Sequence, residues 1–254
     1  MIVSDKHKFI FIAIYKNAST SIETALSRED CFIGGPSKIA SPLSDLPRDI
    51  NHPLLFSEPG AEKGNCVKKH VGATQLRQIM PARYDNYRKF AVVRNPWARV
   101  VSHYIYTMHY EKKPTPFSEW CETLNIKSNH HLSPCLSAIT DESGEIIIDA
   151  FLYFEHLQAA FDQMCQLIKI EPRKLSRENA APWRINDKVL GRAPHYTKFY
   201  DKRTKEIVRE KYKDDIESLS YAFDGFDPPQ AGGRSFGRLM CPTCKRPIMG
   251  FALV

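Results

Sequence analysis

The run Phe9–Tyr15, "FIFIAIY", empties directly into "KNASTS" and then into "SIETAL", whose apolar residues recur at helical spacing. This predicts a buried strand over 9–15, a turn, and a helix over about 19–27. A strand that stops, turns and feeds a helix leaves unpaired N–H groups at the helix start, where the helix dipole also favours an anion. Lys16 and the hydroxyls of Ser19, Thr20 and Ser21 would complete a phosphate cradle. The plainer alternative is a βα turn in which Ser19 merely caps the helix. The stretch is not a Walker A sequence, which needs glycines and a lysine directly before Ser or Thr; here Lys16 comes earlier and the turn contains no glycine.

Strand and helix signals alternate along the rest of the chain. "KFAVVR" is an apolar, β-branched run of strand length. "NPWARVVSHYIYTM" reads as a helix with Asn95 as N-cap and Pro96 at its first position. "TQLRQIM" predicts a helix ended before Pro81, "IIIDAFLYFEHL" is strand-like, and Leu157, Phe161, Met164 and Ile168 recur at helical spacing. The stretch from His195 to Phe223 is mostly helical and charged. Segment 31–65, rich in Pro, Gly and Ser, reads as a surface excursion or substrate loop, and segment 111–145 lacks periodicity and reads as mobile. The alternation argues for a mainly parallel sheet covered on both faces. At 254 residues the chain can bury a normal core. We expect one α/β domain over 1–226, followed by a linker and tail over 227–254.

Arg94 falls at the carboxyl end of the "KFAVVR" strand, where open α/β sheets bind ligands. Ser102 stands seven residues after Asn95, on the same helical face. An arginine fork and a hydroxyl there would suit a second phosphate; a surface ion pair and an ordinary helix-surface serine are the plainer alternatives. The formal charge of +7 suits an anionic ligand without requiring one. Seven cysteines at scattered positions fit reduced thiols. Only Cys241 and Cys244 form a C-x-x-C pair, half of a zinc site with no second half, so no metal is expected.

Taken together, "YKNASTS" and "VVRNPWARVVSHY" resemble the two nucleotide-binding motifs of the sulfotransferases. The match is to the carbohydrate-type branch related to heparan 2-O-sulfotransferase and to bacterial members. "KHVGATQLR", "FLYFEHL", "RENAAP", "HYTKFYD" and "YKDDIESLSYAF" follow in the order expected for that family, and the resemblance covers about residues 8–226. It implies a P-loop-like three-layer α/β fold with a central mainly parallel sheet flanked by helices. It also implies the co-substrate 3′-phosphoadenosine 5′-phosphosulfate (PAPS), the product 3′-phosphoadenosine 5′-phosphate, and no metal. Carried over by position, Lys16, Asn17, Ala18, Ser19, Thr20 and Ser21 would hold the 5′-phosphosulfate, and Arg94 with Ser102 the 3′-phosphate. Lys16 would also neutralise charge on the bridging oxygen as the sulfuryl group leaves.

The same resemblance places a catalytic histidine at His70, an imidazole expected to titrate near neutrality and take the proton of a hydroxyl acceptor. The acceptor class implied is a sugar or glycan. His52, His130 and His131 are weaker candidates for acceptor contact. Tyr196 and Tyr200, four residues apart, could stack near the adenine or pack in the core; Trp97 reads as core and Glu155 as a buried, paired residue. A cytoplasmic location is expected, with neither membrane insertion nor a nucleic acid partner. Two other classes stay open: a P-loop kinase or ATPase, which Mg²⁺-dependent ATP binding would favour, and a non-catalytic module binding polyanions with steep salt dependence.

Overall fold

A computed structural model describes residues 1–26, 32–33, 55–56, 66–67, 69–111, 115–176, 183–185, 188–191, 194–226 and 249–251. His52, "RENAAP", Cys31, Cys241 and Cys244, most of segment 31–65 and the linker after Phe226 lie outside the described residues.

The chain begins with β1 (Ile2–Ser4) and β2 (Phe9–Ile12), then α1 (Ser19–Leu26) and β3 (Phe32–Ile33). A short hairpin of β4 (Leu55–Phe56) and β5 (Cys66–Val67) precedes α2 (Ala73–Ile79) and α3 (Pro81–Asn86). Next come β6 (Arg88–Val93), α4 (Pro96–Tyr110), α5 (Phe117–Glu122) and α6 (Leu136–Ile139), then β7 (Ala150–Tyr153) and α7 (Leu157–Leu167). The last stretch holds the hairpin β8 (Trp183–Ile185) with β9 (Lys188–Gly191), helices α8 (Lys202–Lys211) and α9 (Lys213–Ser218), the hairpin β10 (Tyr221–Ala222) with β11 (Gly225–Phe226), and β12 (Met249–Phe251).

Six strands form one sheet in the order β12-β7-β6-β2-β1-β3. β2, β6, β7 and β12 run parallel, while β1 is antiparallel to both of its neighbours. The fold is therefore α/β around a mainly parallel sheet, and the tail region contributes its edge strand β12.

Alternation along the parallel strands builds two cores. Ile10, Ile12, Ala91, Val93, Phe151 and Tyr153 face Leu76 and Ile79 of α2 and Tyr84 of α3. Phe9, Phe11, Phe90, Val92, Ala150 and Leu152 face Ile22 and Leu26 of α1 and Phe161 and Met164 of α7. Each Val, Leu, Ile, Phe or Met among them, taken from water to the core, contributes roughly 1.5–3 kcal/mol. A third cluster joins Trp97, Val100 and Tyr104 of α4 to Phe117, Val208 and Tyr212.

Several boundaries differ from the sequence reading. β2 ends at Ile12 rather than Tyr15. Pro81 ends α2 but opens α3 at its first position, where its missing N–H costs nothing. Segment 111–145 carries α5 and α6, of six and four residues, too short for their periodicity to be read. α4 begins as expected: the Asn95 side chain accepts the N–H groups of Trp97 and Ala98. Among the described residues no helix is long and apolar enough to cross a membrane.

Candidate active site

After Ile12 the β2 backbone leaves its ladder, and four consecutive carbonyls take side-chain donors instead. His70 Nδ1 donates to Ala13 O at 2.8 Å, Ser19 Oγ to Ile14 O at 2.9 Å, Arg99 Nε to Tyr15 O at 3.2 Å and Arg94 Nη1 to Lys16 O at 3.0 Å. These bonds tie the acceptor side of the turn down, so the N–H groups of the first turn of α1 remain the turn's contribution to a ligand. Ser19 does not cap α1 with its side chain; its hydroxyl closes the turn behind the helix.

Lys16 and Ala18 sit at φ 63° and 58°, the left-handed region that favours glycine. Strain of this kind costs on the order of 1–3 kcal/mol per residue and persists only where surroundings enforce it. Here the four carbonyl contacts and the buried Asn17 enforce it. Asn17 donates from Nδ2 to Val92 O at 2.7 Å and to Cys135 Sγ at 3.2 Å. The turn thus reaches without glycine a shape that glycine usually supplies. The structure places Asn17 beneath the turn as an anchor, with Oδ1 unpartnered among the described residues.

Lys16 Nζ lies 4.0 Å from the centre of the Tyr106 ring. Burial, with Arg94 beside it as a lesser cause, lowers its pKa to about 8, so it remains charged at neutral pH. Arg94 stacks on Phe154 at 4.1 Å, and burial pulls its pKa to about 10. Its Nε has no partner among the described residues. Glu155, whose carboxyl burial raises, accepts Asn95 N at 2.9 Å and the Tyr221 hydroxyl at 3.3 Å, a paired structural role. Ser102 is half-buried on α4, one turn before Tyr106 and so on the side that faces Lys16.

His70 is held differently. A carbonyl oxygen can only accept, so the bond to Ala13 O puts the proton on Nδ1 and leaves the lone pair on Nε2. His70 stacks on Tyr15 at 3.5 Å and 22°, and His131 stacks on the same ring at 4.2 Å and 17°. Two rings so close and nearly parallel to a third must take opposite faces, so Tyr15 is clamped between them. Burial lowers the His70 pKa to about 4, correcting the expectation of titration near neutrality; the bond to Ala13 opposes this only in part. His103 is lowered to about 4 for the same main reason.

A cleft of about 630 Å³ opens beside His70, and its wall includes Tyr15, Arg99 and His130. Lys16, Arg94 and Ser102 are not part of that wall, so the residues assigned to the two phosphates and the assigned base meet at the turn from different sides. The loop carrying His130 and His131 is pinned by distant partners. Asp215 accepts Cys135 N at 2.7 Å and Leu136 N at 3.0 Å, Tyr212 donates to Leu132 O at 2.6 Å, and Arg99 Nη2 donates to His131 O at 3.2 Å.

Sequence reasoning passed over Arg99, His103 and Tyr106 as site residues. Their spacing puts them on one face of α4, a polar stripe legible against the apolar Val100, Val101 and Tyr104. Trp97 is core, donating from Nε1 to Lys205 O at 3.0 Å. Tyr196 and Tyr200 pack in the third cluster and donate to Phe223 O and Trp97 O. Among the described residues no group of His, Cys, Asp and Glu is arranged to hold a metal.

A strained βα turn at the carboxyl edge of parallel strands, backed by Arg94 and Arg99, is the centre of the candidate site in this α/β protein. The model of the Sulfotransferase family matches residues 1–222, and the chain belongs to that family. No curated protein and no solved structure matches the chain.

Proposed function

We propose that the protein transfers a sulfuryl group from PAPS to a hydroxyl acceptor, with a sugar or glycan as the acceptor and His70 as the base. The observation that carries this reading is the run of four carbonyls, Ala13 to Lys16, tied by His70, Ser19, Arg99 and Arg94. The same contacts that shape the anion-holding turn fix the tautomer of the base next to it.

In this reading the turn amides and the hydroxyls of Thr20 and Ser21 hold the 5′-phosphosulfate, Ser19 contributes its N–H while its hydroxyl proton goes to Ile14 O, and Arg94 with Ser102 takes the 3′-phosphate. The unpartnered Arg94 Nε supports an oxyanion partner, because a buried N–H without an acceptor is costly. The acceptor oxygen forms a bond to sulfur, the bond from sulfur to the phosphate oxygen breaks, and the hydroxyl proton passes to His70 Nε2. Lys16, charged at neutral pH, offsets the charge that develops on the departing oxygen.

Calorimetry of the full chain tests the donor assignment. 3′-Phosphoadenosine 5′-phosphate is expected to bind much more tightly than AMP, and without Mg²⁺. Equal affinity for the two would remove the 3′-phosphate role of Arg94 and Ser102, and Mg²⁺-dependent ATP binding would favour a kinase or ATPase.

A further inference from the structure

The cleft beside His70 is electrically two-ended. At its inner end Arg99 is 1% exposed, and its Nη1 has no partner among the described residues although Nε and Nη2 are both engaged. A buried guanidinium N–H left open on a wall shared with His70 suits an oxygen of the reacting group. The outer end is made by the start of α2 and the segment after Pro134. Its hydroxyls are already spent: Thr74 donates to Thr140 O, Thr140 to Leu136 O and Ser137 to Pro134 O. The charged groups at that end are Asp141 and Glu142, with the Gln75 amide nitrogen beside them in the wall. Asp141 accepts the Ser143 hydroxyl at 2.7 Å and the N–H groups of Ser143 and Glu145, all bonds that favour its ionised form. Arg77 acts on Asp141 only as a minor, more distant charge.

We propose that this cleft selects a hydroxyl acceptor carrying a positive charge, an amino sugar in chemical class, over the carboxylated or sulfated glycans that a net charge of +7 would invite. The inference rests on the sulfotransferase reading of the same cleft and narrows it. The reacting hydroxyl lies at the His70 and Arg99 end, and the ammonium at the Asp141 and Glu142 end. A volume of about 630 Å³ is within the range of small-ligand sites and leaves room for one or two sugar rings. The overall charge is carried elsewhere on the molecule and does not describe the wall that meets the acceptor.

The test is binding of glucosamine, N-acetylglucosamine and glucuronate to the full chain, measured at neutral pH with 3′-phosphoadenosine 5′-phosphate present. Glucosamine is expected to bind about fivefold more tightly than N-acetylglucosamine, the effect of exposed ion pairing, with glucuronate weakest. The preference should shrink in high salt and fall to within about twofold in the double variant Asp141→Asn, Glu142→Gln. Both positions lie at the surface, so the variant should fold, and its unfolding midpoint checks this. Equal or tighter binding of glucuronate, a preference that survives the double variant, or no binding of any of the three sugars at millimolar concentration would overturn the proposal. Nucleotide affinity is read separately: its absence would sink the donor assignment, while the amine preference is scored on the sugars alone.

Discussion

Two buried cations stand at opposite ends of β6, and the fold treats them in opposite ways. Lys89, fully buried, donates to Tyr84 O at 3.1 Å and Tyr87 O at 3.0 Å and pairs with Asp149 Oδ2 at 2.9 Å; the same carboxylate accepts Lys89 N at 2.7 Å. Arg94, at the other end, gives one N–H to Lys16 O, lies against Phe154 and leaves Nε unpartnered among the described residues. The saturated cation locks strands together. The unsaturated one keeps binding capacity, and burial lowers its pKa to about 10. Substitutions at the amino end of the sheet should therefore change stability and leave function alone, with the reverse at the carboxyl end.

The largest effect is expected at His70. His70→Ala should lower turnover by roughly 10²–10⁴ while nucleotide affinity stays within about twofold, because the base acts only in the transition state. Lys16→Ala, which would touch the donor, should lower both. Steady-state rates with labelled PAPS, set beside calorimetry, separate the two, and full activity in His70→Ala would move the base elsewhere. Next comes Lys89→Met, which leaves Asp149 as a buried charge without its partner. About 3–5 kcal/mol of stability should go in urea unfolding, with no change in nucleotide affinity of the folded protein. A loss below about 1 kcal/mol would erase the contrast between the two ends. Arg94→Ala should cost about 1.5–3 kcal/mol of 3′-phosphoadenosine 5′-phosphate binding and little of AMP binding.

A pH profile sharpens the same comparison. In the proposed reaction, activity needs His70 neutral and Lys16 charged. Since burial lowers both pKa values, to about 4 and about 8, kcat/KM should rise through pH 4, stay level, and fall through pH 8. His70→Ala should lose the acid limb. The depressed His70 and His103 values carry a stability consequence of fixed sign. The unfolded chain binds protons on these imidazoles near 6.5 and the folded one only near 4, so their contribution is complete above 6.5 and declines as pH falls toward 4. The smallest effect is expected from deleting residues 229–254. That removes the three-residue edge strand β12 and should shift the melting temperature slightly without changing nucleotide affinity.

Local chemistry made much of the fold legible. Strand β6, the Asn95 cap and Pro96 at the head of α4, and the apolar stripe of α7 are all decided by residues within a few positions of one another. So was the βα turn, because a lysine and hydroxyls between an apolar run and an amphipathic helix are visible without knowing what surrounds them. The same signals misplaced the end of β2. Ala13, Ile14 and Tyr15 are as apolar as the residues before them, yet their carbonyls leave the ladder for donors that arrive from positions 70, 19 and 99.

By itself, then, the sequence determined where an anion-holding turn could form and which side chains it could use. Contacts between distant segments are what give Lys16 and Ala18 a left-handed shape without glycine, leave the lone pair of His70 on Nε2 with its pKa lowered to about 4, and bring His130 and His131 against Tyr15. The last depends on Asp215, whose carboxylate holds Cys135 N and Leu136 N. Propensity and periodicity act over a few residues. Desolvation and hydrogen-bond partners are set by whatever the folded chain brings alongside, as when Asn17 meets Cys135 from 118 positions away.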